Sequence, residues 1–107
     1  MKIDKKKVTK EAFIKWLKKD GNQKRKFCVS DDASCPVAAF LLDMFPKARY
    51  ASVDGHEFAV WNKKEDRERT RFVKAPSWVE GFVDSFDSHF GGTKKVSGKK
   101  ILKELGL

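Results

Sequence analysis

The sequence predicts an α+β domain, with about four helices packed on a two- to three-stranded antiparallel sheet that contains a hairpin at residues 48–62. Three observations carry this. Two β-prone runs, residues 49–53 and 56–61, flank Asp54-Gly55, a link suited to the positive φ angles of a type I′ turn. Apolar residues recur at helical spacing near Phe13 and again from Trp78 to Phe90. A length of 107 residues with 40% hydrophobic content fits one domain, residues 1–107, and leaves no room for a second.

Taken in order, residues 1–8 read as a flexible basic arm. Thr9 is placed to cap a helix, with Glu11 near its positive end and Ala12, Phe13, Trp16 and Leu17 forming one apolar stripe. Asp20-Gly21-Asn22 is expected to stop that helix. Residues 26–30 are short and β-prone, and Asp31-Asp32 marks a turn. A second helix is expected from Ser34-Cys35-Pro36, because proline is tolerated in a first turn where its missing N–H costs nothing. Its body runs to Phe45 and is apolar on most sides, which places it centrally; Pro46 ends it.

After the hairpin, residues 63–69 read as a charged turn and residues 70–73 as a third strand. Ser77 with Glu80 three residues on forms a capping box, and Trp78, Val79, Phe82, Val83, Phe86 and Phe90 form the stripe behind it. Gly91-Gly92 closes that helix. Ser97 caps a last short helix in which Val96 staples onto Ile101, with Leu102 and Leu105 turned to the core.

Composition narrows the class. Thirteen aromatic residues, nine of them Phe, are enough for a compact core despite 36% charged residues, which argues against global disorder. The longest apolar run, residues 37–42, is far short of the roughly 20 residues that a membrane span needs. No apolar region of signal-peptide length follows the lysine-rich start. Two cysteines are too few for a disulfide scaffold, so the chain reads as reduced and cytoplasmic.

The net charge of +9 falls in blocks. Residues 1–26 hold eleven basic residues against three acidic ones, residues 63–74 six against three, and residues 94–107 five against one. Two net-acidic stretches separate them. A basic patch forms if these segments meet in space; otherwise the charge only solvates the chain.

The order Phe13-x-x-Trp16-Leu17, Cys35-Pro36-Val37-Ala38-x-x-Leu41, Pro76-x-Trp78 and Val96-Ser97-Gly98-x-x-Ile101-Leu102 is similar to a loose family of small uncharacterised proteins from tailed phages and prophages. The resemblance covers most of the chain, mainly at core and cap positions. It implies a viral accessory origin in a bacterial host, hence host interaction or counter-defence, and no particular activity.

Cys35 at a helix start has the setting that stabilises a thiolate, and His56 could serve as its base with Asp54, Asp84 or Asp87 orienting it. That is the chain order of papain-like hydrolases, but nothing here resembles an oxyanion loop, and a capping thiol packed beside Pro36 accounts for the same residue. Cys28, Cys35, His56 and His89 lack the paired spacing of a zinc site, so no metal is expected. A Cys28–Cys35 disulfide would be out of place in a reducing compartment. His89 suits a helix C-terminus, and the aromatic stripe Trp78–Phe90 is core. No phosphate loop, dinucleotide fingerprint or paired catalytic carboxylates can be drawn, and no cofactor is expected.

The remaining constellation is electrostatic. Lys24, Arg25, Lys26, Lys94, Lys95, Lys99 and Lys100, with Arg67, Arg69 and Arg71, could track a phosphate backbone. Arg69 and Arg71 are expected to share one face of the third strand, where they would equally guard an edge against pairing. Lys99 and Lys100 in a first turn oppose the helix dipole, which points to an anionic partner. Three classes stay open: a nucleic-acid-binding accessory domain, a phage-type protein inhibitor of a host enzyme, ribonucleoprotein or defence complex (anti-CRISPR-like), and a small Cys-His hydrolase.

Overall fold

Thr9 opens the first helix as expected. Its Oγ1 accepts the Ala12 N–H at 3.1 Å, so one of the orphan donors of α1, Lys10–Leu17, is satisfied. The structure, a computed structural model, describes residues 3–28, 35–91 and 95–107. Asp20-Gly21-Asn22 does not end in coil: these residues begin a second short helix, α2, Asp20–Lys24. The chain breaks one step earlier, at Lys18-Lys19, because side-chain amides cap the open end of α1. Asn22 Nδ2 donates to the Trp16 carbonyl at 2.8 Å and Gln23 Nε2 to that of Lys18 at 2.6 Å.

Strand β1, Lys26–Cys28, follows. The turn at Asp31-Asp32 and Ser34 lie outside the described residues. Cys35 caps α3, Pro36–Met44, its Sγ accepting the Ala38 N–H at 3.4 Å. Pro36 to Leu41 are all buried, which seats α3 in the centre.

The hairpin forms from β2, Tyr50–Val53, and β3, Glu57–Trp61, in the register Tyr50↔Trp61, Ala51↔Val60, Ser52↔Ala59 and Val53↔Phe58. Its link is not the type I′ turn expected. Only Gly55 has positive φ, at +95°, and His56 belongs to the turn rather than to the strand. Asp54 supplies the remaining order through its carboxylate, which accepts the N–H groups of His56 at 2.9 Å and Glu57 at 2.7 Å.

Residues 64–69 coil into a 3-10 helix, Lys64–Arg69. Thr70 is held to it, its hydroxyl donating to the Asp66 carbonyl at 2.7 Å, so the third strand is delayed and shortened to β4, Val73–Lys74. β4 pairs with β3, giving the sheet order β2-β3-β4.

In α4, Ser77–Phe90, the expected capping box is absent. Pro76 holds the cap position and its carbonyl takes the Val79 N–H at 3.0 Å, so Ser77 sits inside the first turn and makes no side-chain cap. Gly92 and Lys94 lie outside the described residues. Ser97 does cap α5, Gly98–Glu104, accepting the Lys100 N–H at 3.2 Å. Before it comes a strand that the periodicity did not announce, β5, Lys95–Ser97, paired antiparallel with β1. Val96, expected as a helix staple, is buried in that strand.

One hydrophobic cluster joins these parts. Phe13 is its hub, with ring centroids 4.8 Å from Phe82, 5.2 Å from Trp78, 5.4 Å from Phe40 and 5.9 Å from Trp16. Phe82, Phe86 and Phe90 are all buried, so the Trp78–Phe90 stripe is core. Residues 5–7 of the basic arm form a 3-10 turn, and Val8 is buried with its carbonyl accepting Trp78 Nε1 at 3.1 Å. Among the described residues no helix is long and apolar enough to cross a membrane.

Candidate nucleic-acid interface

Pairing of β1 with β5 brings the two ends of the chain together. The register is Lys26↔Ser97, Phe27↔Val96 and Cys28↔Lys95. Because strand side chains alternate, Phe27 and Val96 enter the core, each 1% exposed, while Lys26, Cys28, Lys95 and Ser97 share the opposite face. Lys26 and Lys95 are diagonal neighbours on that face.

The helices that flank the ribbon extend it. α2 packs on α5, and the Gly98 N–H donates to the Arg25 carbonyl at 3.0 Å. Gly98 is buried so closely there that a Cβ would overlap the Asn22 carbonyl oxygen, which makes glycine a requirement of this approach. Lys24, Lys26, Lys95, Lys99 and Lys100 therefore gather around one small element, all exposed and none in an ion pair among the described residues. Arg25 differs. Its guanidinium lies 3.3 Å from the Asp43 carboxylate and 5.6 Å from the centroid of Phe27, so it is already engaged. Asp43 also accepts Trp16 Nε1 at 2.9 Å.

Arg67, Arg69 and Arg71 are on the other sheet. Arg69 ends the 3-10 helix and Arg71 precedes β4, so the two do not project from one strand face as expected. Both line a cleft of about 370 Å³ with Trp61, Asn62, Asp66 and Thr70. Thus two of the three basic segments meet, and the third stands beside the hairpin.

The hairpin register also exposes a residue that charge counting passed over. Ala51, Val53, Phe58 and Val60 face the main hydrophobic cluster; Tyr50, Ser52, Ala59 and Trp61 lie on the opposite face, where Ser52, Ala59 and Trp61 are also buried. Tyr50 is 38% exposed, the one exposed large hydrophobic residue among those described, and its ring stacks on Trp61 at 5.9 Å and 14°. No period-two signal marks it, because beyond Tyr50 and Glu57 both faces of the two strands are buried.

The nucleophile constellation has other work. Cys35 caps α3, and His56 Nδ1 lies 3.6 Å from a Glu80 carboxylate oxygen on the exposed surface. Asp54 engages the backbone N–H of His56 rather than its ring. Those backbone bonds, the Glu57 amide foremost, hold the Asp54 carboxyl below its ordinary pKa. Cys28 is a free thiol. His89 Nε2 sits 2.8 Å from Glu104 at the end of α4. Among the described residues no group of three or more His, Cys, Asp or Glu could hold a metal ion.

Neither a family model, nor a curated protein, nor a solved structure matches this chain.

Proposed function

We propose that this chain is a small non-enzymatic accessory protein that binds nucleic acid through the lysines of the β1–β5 ribbon. The observation that supports this reading most is the meeting of Lys24 and Lys26 with Lys95, Lys99 and Lys100, five exposed cations from opposite ends of the sequence with no ion pair among the described residues. Close like charges destabilise a fold unless a counter-charge arrives, and a polyphosphate backbone is the partner whose spacing of charge suits a lysine field. Lysine reads no bases by a rigid fork, so this surface suits sequence-independent contact. The phage resemblance makes the cytoplasm of a bacterial host the setting of this proposal.

Anisotropy titration of labelled duplex DNA at about 50 and 200 mM salt tests it, since five phosphate contacts predict a log–log slope of about −4.5. Charge reversal by Lys24→Glu with Lys99→Glu is expected to weaken binding alike for unrelated sequences. No binding at the lower salt would overturn the reading. A host protein captured even after nuclease treatment would favour the inhibitor class instead.

A further inference from the structure

We propose that the β1–β5 ribbon lies in the major groove of B-form duplex DNA, with its outward face toward the base edges and the lysines beside it on the phosphates. The proposal rests on the nucleic-acid reading and adds a substrate class to it, and its test separates the failure of one from that of the other.

The ribbon has the dimensions of the groove. Among the described residues β1 and β5 pair with each other and with no third strand. Two strands about 4.8 Å apart make a ribbon about 10 Å wide. The major groove of B-form DNA, about 12 Å wide, admits a two-stranded ribbon, whereas the minor groove of about 6 Å does not. The outward face is also low at its centre. Lys26 and Lys95 stand exposed at diagonal corners, and the other two corners hold the short side chains of Cys28 and Ser97. Ser97 is held down, its Oγ accepting the Lys100 N–H at 3.2 Å. No bulky side chain on this face keeps the ribbon backbone out of a groove.

The charges are sorted to match. Lys24 ends α2, just before β1, and Lys99 and Lys100 open α5, just after β5. Because Lys26 pairs with Ser97, these three cations sit at one end of the ribbon, outside its face, where a groove has its phosphate walls. Lys26 and Lys95 project from the face itself, toward a groove floor. Every base pair presents acceptors on that floor, guanine O6 and N7 or adenine N7 with thymine O4. An ammonium group carries three rotatable donors and takes whichever acceptor is in reach, so the contact depends on the groove and not on the sequence. A-form RNA closes the same groove into a deep, narrow slot that side chains do not read, and a single strand has no groove. The substrate class that fits both the ribbon and its lysines is B-form duplex DNA.

The test compares wild-type protein with the double variant Lys26→Ala, Lys95→Ala on duplex DNA, duplex RNA and single-stranded DNA of one sequence by anisotropy. Wild type is expected to bind duplex DNA most tightly. The variant is expected to lose about ten- to a hundredfold on duplex DNA and to match wild type on duplex RNA, which only Lys24, Lys99 and Lys100 reach. Dimethyl sulfate, which methylates guanine N7 in the major groove and adenine N3 in the minor groove, is expected to show protection at guanine N7. An equal loss on both duplexes, or protection confined to adenine N3, overturns the groove proposal and leaves the ribbon reading standing. Duplex RNA bound as tightly as duplex DNA, or a single strand bound more tightly than either, does the same. Binding to none of the three overturns both.

Discussion

Among the described residues, two antiparallel β units are built on opposite plans. The β2–β3–β4 sheet grows from a local hairpin whose turn is specified by Asp54 and Gly55. The β1–β5 ribbon has three residues per strand and unites segments from opposite ends of the chain, with no turn to set its register. Short, isolated two-stranded ribbons are marginal in water. This one is held by what it packs on: Phe27 and Val96 pointing inward, α2 against α5, and Gly98 fitted against the α2 backbone. The difference teaches where each surface gets its chemistry. The hairpin orders an aromatic pair locally, whereas the ribbon concentrates lysine only because tertiary packing draws the two ends together.

The contrast can be broken most severely at Phe27. Its ring is 1% exposed and 6.1 Å from Trp16, so Phe27→Ala is expected to cost about 3–5 kcal/mol of stability in urea unfolding. A cost below about 1 kcal/mol would mean that the ribbon is not anchored as described. Next comes Gly98→Ala, where a Cβ meets backbone that can move only by parting α2 from α5. An overpacking cost of about 1–3 kcal/mol is expected, together with weaker duplex binding and an unchanged hairpin by amide exchange. Equal binding and stability would remove close α2–α5 packing as the cause of the lysine cluster.

The smallest effect lies in the hairpin turn. Folding depresses the Asp54 carboxyl, chiefly through the Glu57 amide, so near pH 4 the unfolded chain binds more protons at this site than the folded one. Its contribution is complete above the unfolded pKa and is lost as pH falls through the lowered folded value. Stability of the wild type should therefore drop more steeply below about pH 4 than that of Asp54→Asn. Parallel acid profiles of the two proteins, read by circular dichroism, would show that the Asp54 bonds do not order the turn.

Much of the fold was legible because its signals are local. Thr9, Pro36 and Ser97 mark helix starts by chemistry within one turn, and the apolar stripes around Phe13 and Phe82 report burial at helical period. The misreadings share a cause. Asp20-Gly21-Asn22 looks like a helix stop but begins a second helix whose Asn22 and Gln23 cap the preceding one, while Ser77 looks like a cap and yields that position to Pro76. In each case a neighbour a few residues away supplied the hydrogen bond that decided the outcome. Arg69 and Arg71 were assigned to a strand face because alternation was read without the bond from Thr70 to Asp66 that delays the strand.

For the candidate site, residue types were legible and their company was not. Sequence by itself determined α1, α3, α4 and α5, the hairpin, the composition of the core and the sorting of charge into blocks, since each follows from propensity, period and side-chain chemistry within a few residues. Tertiary structure alone decided that Lys24 and Lys26 join Lys95, Lys99 and Lys100, that Arg25 is spent on Asp43, and that Tyr50 stands exposed on Trp61. Three-residue strands carry too little alternation to announce a partner, and closing a loop between chain ends is rewarded only when long-range burial of Phe27 and Val96 offsets its entropy.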